Sequence, residues 1–212
     1  MKYPHILFDL DGTLTDPGLG ITNSIRYALK KQNRPIPPDE ILRLFIGPPL
    51  IETFMKYCSV SREEACSLVD DYREYFRPTG MFENKVYPGI KEMLSELIRL
   101  GHHLYVATSK PEPFAKKILE HFELSQYFTF IGGSTLEETR TDKAAVIAYV
   151  LEENHIDPKE CLMVGDRIYD IEGARSFGMD VAAVLFGYGT KEELSPADYL
   201  IGHPDELISK IK

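Results

Sequence analysis

Short apolar runs alternate with helical stripes over most of the chain. His5-Ile6-Leu7-Phe8 runs into Asp9-Leu10-Asp11-Gly12-Thr13, which predicts a buried strand leading into a turn. Leu104–Ala107, Cys161–Val164 and Val181–Leu185 repeat the pattern, and Thr129-Phe130-Ile131 is a shorter version. Helical patterns separate them. One starts at Pro88, places Ile90, Leu94, Leu97 and Ile98 on one face and stops at Gly101. A second carries Phe114, Ile118, Leu119 and Phe122, and a third Val146, Ile147, Val150 and Leu151. Strands alternating with helices predict an α/β fold, a doubly wound, Rossmann-like parallel sheet.

Residues 16–85 break the alternation. They read as helices only, with Ile21, Ile25, Ala28 and Leu29 on one face, then Ile41, Leu42 and Phe45. Ala65, Leu68, Val69, Tyr72 and Phe76 follow a Ser61-x-x-Glu64 capping box. Pro35 to Pro38 and Gly47-Pro48-Pro49 joint the pieces. The expected organisation is an α/β core of residues 1–15 and 86–212, with a small α-helical domain of residues 16–85 inserted after the first strand.

The 212 residues are 43% apolar and 27% charged, ordinary for a globular protein. The net charge is −9 and no long stripe of Lys and Arg occurs, so neither a nucleic-acid polymer nor an anionic membrane is an expected partner. Cys58, Cys66 and Cys161 form no CxxC pair, and no signal-peptide pattern precedes the first strand, so a cytoplasmic protein is expected.

The candidate chemistry sits at strand ends. Asp9 and Asp11, two residues apart on an extended segment, point to the same side, at the end of the sheet where such folds bind ligands. Two carboxylates that close need a cation or a shared proton, and they can divide nucleophilic attack from proton transfer. A solvated Asp-Gly turn explains them equally well when they are taken alone. Gly165-Asp166-Arg167-Ile168-Tyr169-Asp170 follows another strand, with Asp166 at a helix mouth and Asp170 one turn on. Hard oxygen ligands there suit Mg²⁺, while a helix cap and a first-turn acid are the plain alternative. Thr108-Ser109-Lys110 follows Val106-Ala107 at the end of a third strand, where a hydroxyl and the N–H groups of the turn can bind phosphoryl oxygens or simply cap a helix. Lys143 opens a helix, where a cation opposes the dipole and an anionic partner would relieve it. Lys110 and Arg167 lie beside these motifs. The six histidines show no ligand spacing.

Asp9-Leu10-Asp11-Gly12-Thr13-Leu14, Thr108, Lys143 and Gly165-Asp166 to Asp170 occur in the order of the four motifs of the haloacid dehalogenase superfamily. The chain resembles that superfamily over its whole length. Its helical insert, Gly47-Pro48-Pro49-Leu50 and Gly173-Ala174 resemble the phosphoglycolate phosphatase-like branch. The resemblance implies a Mg²⁺-dependent phosphatase acting on a small phosphorylated metabolite, as a monomer or weak homodimer. Asp9 would be the nucleophile and Asp11 the general acid and base. Asp9, the Asp11 main chain and Asp166 would hold Mg²⁺, with Asp170 behind them. Gly12, Thr108, Ser109 and Lys143 would bind the substrate phosphate. Phosphoglycolate is the leading substrate, and a 5'-nucleotidase or a sugar-phosphate mutase on the same frame is the alternative. A phosphorylated receiver domain would carry its acceptor Asp mid-chain and lack the insert. A phosphonatase would need a Lys in the insert, and none is singled out. The insert would select the leaving group, with Arg43 and Leu50 as candidate contacts.

Overall fold

The computed structural model describes residues 2–136, 140 and 142–211. The chain starts with β1 (His5–Phe8). The short strands β2 (Thr15–Asp16) and β3 (Lys85–Val86) pair with each other in a separate two-stranded sheet. Then come β4 (His103–Pro111), β5 (Phe130–Ser134), β6 (Cys161–Gly165), β7 (Asp180–Val184) and β8 (Tyr199–Ile201). With β1 they form one parallel sheet in the order β5-β4-β1-β6-β7-β8. This is the doubly wound α/β arrangement that the alternation predicts. The winding direction reverses around β1, which pairs Phe8 with Val106 on one side and with Val164 on the other. In such sheets the reversal opens a crevice at the carboxyl ends of the strands.

The chain divides into two compact units, residues 1–15 with 86–212, and residues 16–85. The second unit contains α1 (Gly18–Lys31), α2 (Asp39–Arg43), α3 (Leu50–Cys58) and α4 (Arg62–Tyr75). A π-helical turn, Phe76–Gly80, follows α4 directly. Ile21, Ile25, Ala28 and Leu29 of α1 are buried, as are Ala65, Leu68, Val69 and Tyr72 of α4. The Ser61 capping box is formed in both directions: the Glu64 N–H donates to Ser61 Oγ at 3.2 Å, and the Ser61 N–H to Glu64 Oε2 at 2.7 Å. Phe45 and Phe54 meet edge to face 5.1 Å apart, closing the small core.

The first unit adds α5 (Ile90–Arg99), α6 (Glu112–His121), α7 (Lys143–Asn154), α8 (Ile168–Arg175), α9 (Lys191–Leu194) and α10 (Glu206–Lys210). Strand alternation sends Leu7, Tyr105, Ala107, Met163, Val181 and Ala183 to the face covered by α7 and α8, where Val146, Ile147, Val150, Ile171 and Ala174 complete one core. Phe8, Val164, Val184 and Ile201 face the other way, toward Ile90 and Met93 of α5 and Leu207 of α10.

Three expectations need correcting. Ile98 is 43% exposed, and Met93 takes its place in the buried stripe of α5, because positions 90, 93, 94 and 97 share one face. Thr108, Ser109 and Lys110 are not a turn after the strand. They continue β4, whose register against β5 shifts between Thr108 and Pro111. Pro88 precedes its helix, which Gly89 enters with a φ of 86°. Among the described residues, no helix is long and apolar enough to cross a membrane.

The two cores set different mutational costs. Leu7 is fully buried in the central strand, so Leu7→Ala should lower unfolding free energy by about 2–5 kcal/mol in urea titrations. Ser61→Ala should remove one cap and cost about 1 kcal/mol.

Candidate active site

The candidate residues gather at the carboxyl ends of β1, β4 and β6. Asp9 directly follows β1, and its N–H donates to the Val164 carbonyl at 2.9 Å, so the β1–β6 ladder extends to it. The chain then turns tightly around the Leu10 carbonyl, which accepts from the N–H groups of Thr13, Leu14 and Thr15. Gly12 sits inside this turn with a φ of +86°, and a Cβ there would lie 2.1 Å from Asp166 Oδ2. Only glycine satisfies both demands.

Asp166 and Asp170 come from the junction of β6 and α8. Asp170 stands in the first turn of α8, and its Oδ2 accepts from the N–H groups of Asp166 and Arg167, each at 3.1 Å. Gly165 makes room for it, since a Cβ would lie 2.2 Å from Asp170 Cγ. Asp166 is fully buried: its Oδ1 accepts from Thr13 Oγ1 at 3.3 Å, and its Oδ2 from the Tyr188 N–H at 2.8 Å. Carboxylate oxygens of Asp9, Asp166 and Asp170 lie within 4.8 Å of one another.

Two ammonium groups enter this acidic site. Lys143, the first residue of α7, places Nζ 2.7 Å from Asp9 Oδ1 and 2.8 Å from Asp170 Oδ1, and donates to the Ala107 carbonyl at 3.0 Å. Those carboxylates supply the anions that a cation at a helix N-terminus lacks. Lys110 Nζ lies 2.6 Å from Asp11 Oδ2, with both side chains largely buried. Arg167 instead pairs with Glu193 at 2.9 Å. Thr108 is buried beside Ala107, and its Oγ1 accepts from the Lys110 N–H at 3.3 Å, while Ser109 is half-buried.

The electrostatics follow from burial. Desolvation, reinforced by the charges of Asp170 and Asp9, raises Asp166 well above the usual carboxylate range. Burial also raises Asp170, against the pull of Lys143. For Asp11, burial outweighs the stabilising ammonium of Lys110 and again raises the carboxyl. Burial alone would lower Lys143, but Asp170 and Asp9 hold it above the ordinary ammonium value. Asp9 Oδ1, Asp11 Oδ1 and Asp170 Oδ1 are buried and, among the described residues, have no aligned hydrogen-bond donor. Asp9 Oδ1 and Asp170 Oδ1 have the Lys143 ammonium within ion-pair distance, and the other oxygen of Asp11, Oδ2, has that of Lys110. Unsatisfied carboxylate oxygens facing an excess of negative charge fit a hard divalent cation.

The motifs thus mark five converging carboxylate and ammonium groups, Asp9, Asp11, Lys143, Asp166 and Asp170. They do not mark the loop after β7. There a Cβ on Gly187 would lie 2.4 Å from Asp166 Cβ, and Tyr188 turns its N–H onto the Asp166 carboxylate. The closely spaced Gly187 and Gly189, following an apolar strand, are the available sequence signal.

The chain is 45% identical to a 5'-nucleotidase of Pseudomonas aeruginosa, over 92% of this chain and 88% of that protein. It is 39% identical to the tyrosine-protein kinase PtkA of Mycobacterium tuberculosis over 87% of its own length, and spans 62% of that longer protein. Phosphoglycolate phosphatase 1 of Pseudomonas aeruginosa is 30% identical over 86% of this chain and 70% of its own. The crystal structure of a predicted phosphatase from Clostridium acetobutylicum has a TM-score of 0.94 at 46% identity, with 100% of this chain and 99% of that one covered. Residues 6–184 match the model of the haloacid dehalogenase-like hydrolases, and the chain belongs to that family.

Proposed function

We propose that this chain is a Mg²⁺-dependent phosphatase of small phosphomonoesters that works through an aspartyl-phosphate on Asp9. The observation that carries the reading is the buried set of Asp9, Asp166 and Asp170 around Lys143, at the carboxyl end of the central strand. Mg²⁺ would be held by the Asp9 carboxylate, the Asp11 main-chain carbonyl and Asp166, with Asp170 behind them. Bound there, it supplies positive charge that offsets the phosphoryl oxygens.

Asp9 attacks phosphorus, and Asp11 gives its proton to the leaving oxygen. Asp11 then takes a proton from the water that hydrolyses the acyl phosphate. Gly12, Thr108 and Ser109 donate hydrogen bonds to the phosphoryl oxygens, and Lys143 balances the charge of Asp9 as it reacts. Of the substrate classes expected from sequence, the stronger similarity to a 5'-nucleotidase supports nucleoside monophosphates ahead of phosphoglycolate. None of these residues lies in the 16–85 unit, so we assign selection of the leaving group to that unit.

Three outcomes test the reading. Asp9→Asn should reduce hydrolysis to background while the melting temperature stays near wild type, and substantial remaining turnover would overturn the nucleophile. Arg43→Ala and Leu50→Ala should change the ranking of nucleoside monophosphates against phosphoglycolate with little effect on p-nitrophenyl phosphate. A uniform loss over the panel would remove selectivity from residues 16–85. The third outcome uses the raised Asp166 and Asp170. A carboxyl held above its unfolded value near 3.8 keeps its proton longer in the folded chain. The metal-free protein therefore loses stability as pH climbs from that value through the raised one. Mg²⁺ binding to the ionised carboxylates removes the loss, so the rise in melting temperature on adding Mg²⁺ should be larger at pH 8 than at pH 5. An equal rise at both would contradict the assigned ligands.

A further inference from the structure

The second ammonium group has no assigned task. Lys110 lies on β4, two residues past Thr108, with a side chain 7% exposed and its Nζ 2.6 Å from Asp11 Oδ2. The Asp11 backbone forms a bridge with Thr15 at the start of the turn. The two carboxylate oxygens of Asp11 are unequal. Oδ2 has the Lys110 ammonium, while Oδ1 is buried and has no hydrogen-bond partner among the described residues. β4 continues through Thr108 to Pro111, and from it Lys110 reaches Asp11.

We infer that Lys110 is the positioning residue of the acid–base group: by occupying Oδ2 in both protonation states, it fixes Oδ1 as the oxygen that carries the proton. The inference rests on the covalent mechanism proposed above. An ammonium donates most strongly to a carboxylate oxygen but can also donate, more weakly, to the carbonyl oxygen of a neutral carboxyl, so the anchor survives proton transfer. In the first step the Asp9 carboxylate forms a bond to phosphorus as the ester P–O bond breaks. The electron pair of that bond goes to the leaving oxygen, which takes the proton from Asp11 Oδ1. In the second step a water oxygen bonds to phosphorus and its proton goes to Asp11 Oδ1. The bond from Asp9 to phosphorus breaks, its electron pair returns to the Asp9 carboxylate, and inorganic phosphate leaves. Both transfers use one oxygen held in one place, and misplacing such a group by about 1 Å costs on the order of 100-fold.

The test compares leaving groups in the full chain with Mg²⁺. p-Nitrophenolate departs without a proton, whereas the ribose oxygen of adenosine 5'-monophosphate requires one. Lys110→Met should lower kcat for the nucleotide roughly 10–100-fold with KM within about twofold. With p-nitrophenyl phosphate the same variant should release one equivalent of nitrophenolate near the wild-type rate, followed by a slow steady state, because only the second step then needs Asp11. Lys110→Arg should restore most of the nucleotide turnover. Lys110→Gln, measured alongside in case Lys110→Met folds poorly, should show the same split between the two esters. An equal loss on both first turnovers with a raised KM would make Lys110 a phosphate ligand and overturn the inference, as would unchanged nucleotide turnover. Because Asp9→Asn is assayed in parallel, a dead Asp9→Asn beside a uniformly impaired Lys110→Met condemns only the role of Lys110. An active Asp9→Asn removes the covalent mechanism and this inference with it.

Discussion

Everything at the carboxyl end of the sheet is arranged around an excess of buried negative charge. Asp9, Asp11, Asp166 and Asp170 would each be costly to ionise away from water, and together they repel. The fold answers with backbone donors on Asp166 and Asp170, with Lys143 between Asp9 and Asp170, and with Lys110 on Asp11. The two ammonium groups leave part of the charge uncompensated. A hard divalent cation would fit that remainder and offset it.

The same constraint explains the glycines. Carboxylates packed this closely leave no room for side chains on the backbone beside them. Gly12 lies against Asp166 and Gly165 against Asp170 at separations no Cβ could tolerate. The turn after β1 needs a left-handed residue as well, so the Asp-Gly signature joins backbone shape to charge placement at a single position.

Much of this was legible in the chain because it depends on local periodicity. A buried parallel strand reads as an unbroken apolar run, and the helices over the sheet carry stripes that a single sequence displays. Ile98 shows the limit: as an apolar residue one position past Leu97 it fits a loose stripe, and only the direction of the real helix turns it to solvent. Lys143 was the informative oddity, a cation at the unfavourable end of a helix whose partners lie on other elements, Asp9 after β1 and Asp170 in α8. Lys110 was marked by its neighbourhood but its partner Asp11 was not legible, and the Tyr188 N–H left no signal of its part in the site. The first depends on β4 continuing past Ala107, and the second on the loop after β7 bringing an N–H to Asp166. Neither event leaves a local pattern.

The position of β1 has a consequence for how this protein emerges from a ribosome. It is made before the other strands of its sheet yet lies in the middle of it, bordered by β4 and by β6, which begins at Cys161. Until that later segment has been synthesised, the β6-facing edge of β1 has no native strand to pair with, and its apolar side chains lack half of their cover. The acidic pair Asp9 and Asp166 cannot meet before then either. The costly charge cluster is therefore assembled only after most of the apolar sheet is available to hold it, and a nascent chain halted short of β6 would present a sticky strand edge instead of the acidic cluster.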